Sequence, residues 1–139
     1  MATILVVEDN DLSRDALARR LERRGYDVLL AVDGEQAVAV GRAQLPDLIL
    51  MDLGLPRVNG WDATRRLKAD QATERIPIIV LSAHAMTNDR DDALAAGADD
   101  FDSKPVRFQQ LLAKIAALLA TRASTSRSAT DQKAAAGHP

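Results

Sequence analysis

The chain has no cysteine among its 139 residues, which excludes disulfides, iron–sulfur clusters and thiolate zinc sites. Aromatic residues are scarce at 3%, so the core has to be assembled from Val, Leu, Ile and Ala. That composition suits a parallel sheet covered by helices on both faces. No apolar run approaches the ~20 residues that span a bilayer. The first strand-like run, Thr3 to Val7, begins almost at once, with no charged leader and long apolar stretch before it. A strong charge of one sign is also missing: the net charge is -2, which gives no general reason to bind nucleic acid or an anionic membrane. The expectation is a soluble, cytoplasmic protein. Hydrophobic residues at 47% and charged residues at 27% are ordinary for a globular chain. The length suits one domain with a real core and is short for two.

Short apolar runs alternate with amphipathic stretches. Ile4-Leu5-Val6-Val7 reads as a strand buried on both faces. Asn10 or Asp11 can cap a helix that carries Leu17 and Leu21 inward and ends at Gly25. Tyr26 to Ala31 is a weaker second strand; Asp33-Gly34 marks a turn, and the helix beyond it stops at Pro46. Asp47 to Asp52 is the third strand. Pro56 and Gly60 bracket a loop, and Trp61, Thr64 and Leu67 set the next helix. Ile78 to Leu81 is the fourth strand, Thr87 to Ala96 a helix closed by Gly97, and a short strand surrounds Phe101. Phe108, Leu111, Leu112, Ile115, Leu118 and Leu119 recur at helical spacing.

Five strand–helix units imply an α/β fold with a parallel sheet, right-handed crossovers and helices on both faces. The expected strand order is 2-1-3-4-5, which sets the first and third strands side by side where the order reverses. Ligands of such sheets bind there, beyond the carboxyl ends of the strands. Glu8-Asp9, Asp52 and Lys104-Pro105 all lie at strand ends. Three carboxylates make a hard-cation site, and a lysine beside them can hold a phosphoryl group. The folded domain is expected over 1–120. From about Thr121 the composition turns to Ala, Ser and Thr, and 121–139 reads as a disordered tail.

Val6 to Asn10, Asp47 to Pro56, Ile79 to Ala83 and Gly97 to Pro105 resemble the corresponding segments of response regulator receiver domains of two-component signalling, the CheY-like superfamily. The likeness extends over Thr3 to about Ala120. No single motif is decisive; their order and spacing are. The resemblance is to a stand-alone receiver, and no output domain is expected after it.

The resemblance implies a role for each matching residue. Asp52 is the expected phosphoryl acceptor. Mg²⁺ is the expected cofactor, held by Asp9 and Asp52, by Glu8 directly or through water, and by the backbone carbonyl of Gly54. Lys104 is the expected phosphate-pairing lysine, and a cis peptide is expected between Lys104 and Pro105. Ser82 matches the switch hydroxyl and Phe101 the switch aromatic. Gly54 and His84 match positions that tune the lifetime of the phosphoryl group; His84 either shields the site or is an exposed loop imidazole. The first helix carries Arg14, Arg19, Arg20, Arg23 and Arg24. In the family this helix docks the phosphodonor histidine domain, so its basic face is either a docking surface or a plain solvated one.

The implied function is a signalling switch, not an enzyme acting on a separate substrate. A sensor histidine kinase or histidine phosphotransfer domain would phosphorylate Asp52, and the monomer or weak dimer would change its grip on a downstream protein or relay the group onward. Two other classes fit less well. A magnesium-dependent phosphatase with an aspartyl nucleophile wants a second aspartate where Gly54 stands. A nucleotide or flavin binder wants a glycine-rich phosphate loop, where Glu8-Asp9-Asn10-Asp11 would repel phosphate without a metal.

Overall fold

In the computed structural model, residues 2–53, 59–82 and 87–121 are described. Expectations for Gly54, Pro56, His84 and residues 122–139 lie outside them. The elements follow in chain order as β1 (Thr3–Val7), α1 (Asp11–Glu22), β2 (Asp27–Ala31), α2 (Gly34–Gln44), β3 (Leu48–Asp52), α3 (Gly60–Ala69), β4 (Ile78–Ser82), α4 (Thr87–Ala95), β5 (Asp100–Ser103) and α5 (108–121).

All strand pairs are parallel and the sheet order is β2-β1-β3-β4-β5, as expected. Side chains alternate across each strand, so each continuous apolar run feeds two cores. Leu5, Val7, Ile49, Met51, Ile78 and Val80 face one layer, where α2, α3 and α4 add Ala37, Val38, Ala63, Leu67 and Ala93. Ile4, Val6, Leu48, Leu50, Ile79 and Leu81 face the other, closed by Leu21 of α1 and by Phe108, Leu111 and Ile115 of α5. The central strands β3 and β4 are buried at every position; each such aliphatic side chain contributes about 2 kcal/mol by leaving water. Arg20 of α1 stacks 4.5 Å above the Phe108 ring and joins the two helices of the second layer.

The helix ends follow local chemistry. Asn10, Asp33 and Asn59 cap α1, α2 and α3, each accepting a backbone N–H three residues on. Asn10, not Asp11, is the cap of α1. Asp33-Gly34 is the start of α2 and not a separate turn, and α2 ends at Leu45 in a left-handed conformation, one residue before Pro46.

At the end where β4 and β5 begin, Lys68 of α3 ties three segments together. Its ammonium donates to the carbonyls of Ile76 (2.8 Å) and Glu74 (3.2 Å) and to Asp99 Oδ2 (2.8 Å). The same Asp99 oxygen accepts the Ile78 N–H at 2.8 Å. Gly97 passes beside the Lys68 stem at φ +104, where a Cβ would stand 3.0 Å from Cγ.

Candidate functional site

The carboxyl ends of β1, β3 and β5 set the reactive groups. Backbone hydrogen bonds fix these ends: Glu8 N–H to the Ala31 carbonyl (3.1 Å), Leu53 N–H to that of Leu81 (3.0 Å), and Lys104 N–H to that of Ser82 (2.7 Å). The start of α3 lies against the end of β3 with almost no clearance. A Cβ on Gly60, the first residue of α3, would lie 2.3 Å from the Asp52 carbonyl oxygen and 2.8 Å from Leu53 Cα. Only glycine lets α3 begin directly against the strand that ends in Asp52.

Lys104 reaches across the sheet end. Its ammonium lies 2.9 Å from Glu8 Oε1 and 3.1 Å from Asp52 Oδ2. Carboxylate oxygens of Glu8, Asp9 and Asp52 all lie within 4.8 Å of one another. Glu8 and Asp52 are each only 7% exposed, whereas Asp9 is open to solvent. The Lys104–Pro105 peptide is cis, as expected.

The electrostatics show what this cluster wants. Burial, and then the neighbouring Asp52 carboxyl, raise the Glu8 pKa from 4.5 to about 7, with Lys104 only partly offsetting them. Burial works against the Lys104 charge, but its hydrogen bonds and Coulomb attraction to Glu8 and Asp52 win, and its pKa is raised. Glu8 Oε2 is buried with no hydrogen-bond partner among the described residues. Among the described residues, three acids gather around the one ammonium of Lys104. An all-oxygen set with an orphaned buried oxygen fits a small hard divalent cation such as Mg²⁺.

The other expected residues stand nearby in different relations. Ser82 ends β4 and is buried, on the strand whose Leu81 pairs in register with Asp52. Phe101 lies in β5, half-buried against the core under α2, α3 and α4. A cavity of about 290 Å³ borders the acids, lined also by Leu17, Arg20 and Val106. One contributor was not legible as such in the sequence. Arg14 donates through Nη1 to the Glu8 carbonyl (3.1 Å) and through Nη2 to Asp11 Oδ1 (2.6 Å), and so braces the loop that bears Asp9. Its place among five closely spaced arginines, Arg14 to Arg24, hid that role. The signal was its position one turn into the helix after the acid pair.

Comparisons with known proteins agree with this geometry. The sequence profile described as the response regulator receiver domain matches residues 4–116. The chain is 39% identical over 120 residues to Protein PilH of Pseudomonas aeruginosa, covering 86% of this chain and 99% of that one. It is 39% identical over 119 residues to the DNA-binding dual master transcriptional regulator RpaA of Synechocystis, covering 86% of this chain, and it spans about half (49%) of that protein's length. Among solved structures, the receiver domain of sensor histidine kinase PA1611 from P. aeruginosa superposes with a TM-score of 0.80 at 38% identity, over 86% of this chain and 98% of that one. That crystal structure has a magnesium ion coordinated in its active site cleft. Sequence profile, relatives and strand order together show that the chain belongs to the response regulator receiver family, signalling switches that accept a phosphoryl group with Mg²⁺.

Proposed function

We propose that Asp52 is the residue that takes the phosphoryl group, from a sensor histidine kinase or a histidine phosphotransfer protein. The observation that carries this reading is the Lys104 ammonium held 2.9 Å from Glu8 and 3.1 Å from Asp52, with Asp9 beside them. In the transfer, an Asp52 carboxylate oxygen bonds to phosphorus as the bond from phosphorus to the donor imidazole nitrogen breaks. The electron pair leaves with the imidazole, which takes up a proton. Such transfer is governed by positioning and charge neutralisation more than by nucleophile strength.

Glu8, Asp9, Asp52 and the Gly54 carbonyl are the proposed Mg²⁺ ligands. When bound, the ion neutralises charge on the phosphoryl oxygens. Lys104 supplies the second positive charge: as Asp52 becomes an acyl phosphate, its ammonium passes from the carboxylate to a phosphoryl oxygen. Ser82 donates its hydroxyl to another, and Phe101 follows by repacking. The rearranged face of α4, β5 and α5 then meets a downstream protein. On this reading the chain acts on itself alone, in phosphorylation and in the later loss of the group, and works in the cytoplasm. The receiver is read as running to the end of α5 at Thr121, one residue beyond the expected boundary at 120, because that residue still closes the last helical turn on the Ala117 carbonyl.

Intact mass after incubation with Mg²⁺ and a small phosphodonor tests the acceptor. One phosphoryl group is expected on the wild type and none on Asp52→Asn; equal labelling of the variant moves the acceptor elsewhere. For the metal, Asp9→Asn is expected to weaken Mg²⁺ binding at least roughly tenfold in calorimetric titration. Unchanged affinity removes Asp9 from the ligand set.

A further inference from the structure

Asp102 is a carboxylate where the fold calls for an apolar residue. It sits in register beside Leu81 and faces the layer closed by Phe108, Leu111 and Ile115 of α5. It is only 5% exposed, and its Oδ2 is buried with no hydrogen-bond partner among the described residues. Such a group costs stability unless it does something else. Its Oδ1 is fully engaged. It accepts the Ser103 N–H at 2.9 Å and Gln110 Nε2 at 3.2 Å, and it lies 3.9 Å from Lys114 Nζ. Gln110 and Lys114 are four residues apart and so share one face of α5.

These contacts stand where a sixth strand would. Among the described residues, β5 is an edge strand that pairs with β4 alone. Three backbone groups on its outer side are taken by side chains. Phe101 N–H donates to Asp100 Oδ1 at 2.8 Å, Ser103 N–H donates to Asp102 Oδ1, and the Phe101 carbonyl accepts Lys114 Nζ at 2.6 Å. Lys114 is further balanced by Asp100 Oδ1 at 3.7 Å. The strand is thus held on one side by β4 and on the other by a polar latch from α5. Two residues beyond Asp102 comes Lys104, whose ammonium must span to Glu8 and Asp52.

We propose that Asp102, with Gln110 and Lys114, is a positioning residue for phosphoryl transfer: the latch fixes the end of β5 and thereby the reach of Lys104 to Asp52. The inference rests on the proposed role of Lys104. It differs from a plain stabilising contact in one respect. A buried, incompletely paired carboxylate replaced by an aliphatic of similar size is neutral or favourable for stability, so stability and function should separate.

The test uses the full chain with Asp102→Leu, Asp102→Asn and Lys114→Met. Two quantities are read beside thermal unfolding. The first is acylation of Lys104 by an amine-reactive ester, mapped by peptide mass with Lys68 as the internal reference. An ammonium clamped between two carboxylates reacts slowly, and a displaced one reacts faster. The second is the rate of phosphorylation by a small phosphodonor at saturating Mg²⁺. Asp102→Leu is expected to keep or raise Tm, to make Lys104 roughly threefold more reactive, and to slow phosphorylation about tenfold, since small misplacements of a reacting group are costly. Asp102→Asn retains an oxygen for Ser103 and Gln110 and is expected to restore most of both. Lys114→Met should reproduce the loosened Lys104 and serves if Asp102→Leu does not fold. Lys104 reactivity unchanged in Asp102→Leu and in Lys114→Met overturns the latch, whatever the phosphorylation result. A freed Lys104 with no change in phosphorylation rate overturns instead the role given to Lys104 in transfer.

Discussion

Two lysines, one at each end of the sheet, show how the same side chain is used for opposite ends. Lys68 is saturated: two backbone carbonyls and one carboxylate surround its ammonium, and that carboxylate also satisfies the Ile78 N–H. Charge and hydrogen bonds close on themselves, and the result is a fastening. Lys104 faces two buried carboxylates with a third acid nearby, and among the described residues one Glu8 oxygen is left over. There the charges do not close, and the deficit is an invitation to a cation and a phosphoryl group. What separates a fastening from a reactive centre is the unbalanced remainder.

That contrast can be broken by substitution. The largest effect is expected for Gly60→Ala, because the new methyl would stand 2.3 Å from the Asp52 carbonyl oxygen. Overpacking of this kind costs about 3 kcal/mol, and Mg²⁺ affinity should fall with it, since α3 and the end of β3 must separate. Denaturant unfolding and metal titration read both; a variant as stable as wild type would show that α3 can give way freely. Lys68→Met comes next. Losing the donor to two carbonyls and Asp99 is expected to cost about 2 kcal/mol, with Mg²⁺ affinity unchanged. A fall in affinity would mean the two ends are coupled.

The smallest effect sharpens the electrostatic half of the comparison. The folded chain raises Glu8 from 4.5 to about 7, so the native state binds a proton that the unfolded chain has already released. Stability from this group is full below about 4.5 and lost as pH rises to about 7. In chelator, Tm should decline across that window, and added Mg²⁺ should restore it above the window. Glu8→Gln should flatten the slope and, in chelator at high pH, stabilise the chain by about 1 kcal/mol while weakening Mg²⁺ binding. A slope that survives Glu8→Gln would assign it to another group.

Much of the architecture could be read before the structure. Runs such as Ile4 to Val7 and Leu48 to Met51 are so continuously apolar that only strands buried on both faces accept them, and their alternation with helices implies a parallel sheet, for which 2-1-3-4-5 is one of the common orders. The acids and Lys104 were legible because strand ends in such a sheet converge. Long-range polar partnerships were not. Nothing local distinguishes Lys68, which reaches Asp99 across 31 positions, from Arg65 and Arg66 beside it. Asp102 looked like one acid among several in Asp99 to Asp102, because whether a strand residue faces core or solvent depends on register and on the helix above it. Asn10 rather than Asp11 caps α1 for a similar reason: either side chain suits the task, and the geometry of the chain leaving β1 chooses.

The way β5 satisfies its own outer rim bears on how this protein meets its neighbours. With the Phe101 and Ser103 amides and the Phe101 carbonyl already engaged, that flank is a poor template for main-chain pairing. Contact made there falls mainly to Asp100, Lys114 and their surroundings. It will therefore be sensitive to ionic strength, reversible, and open to tuning one charge at a time.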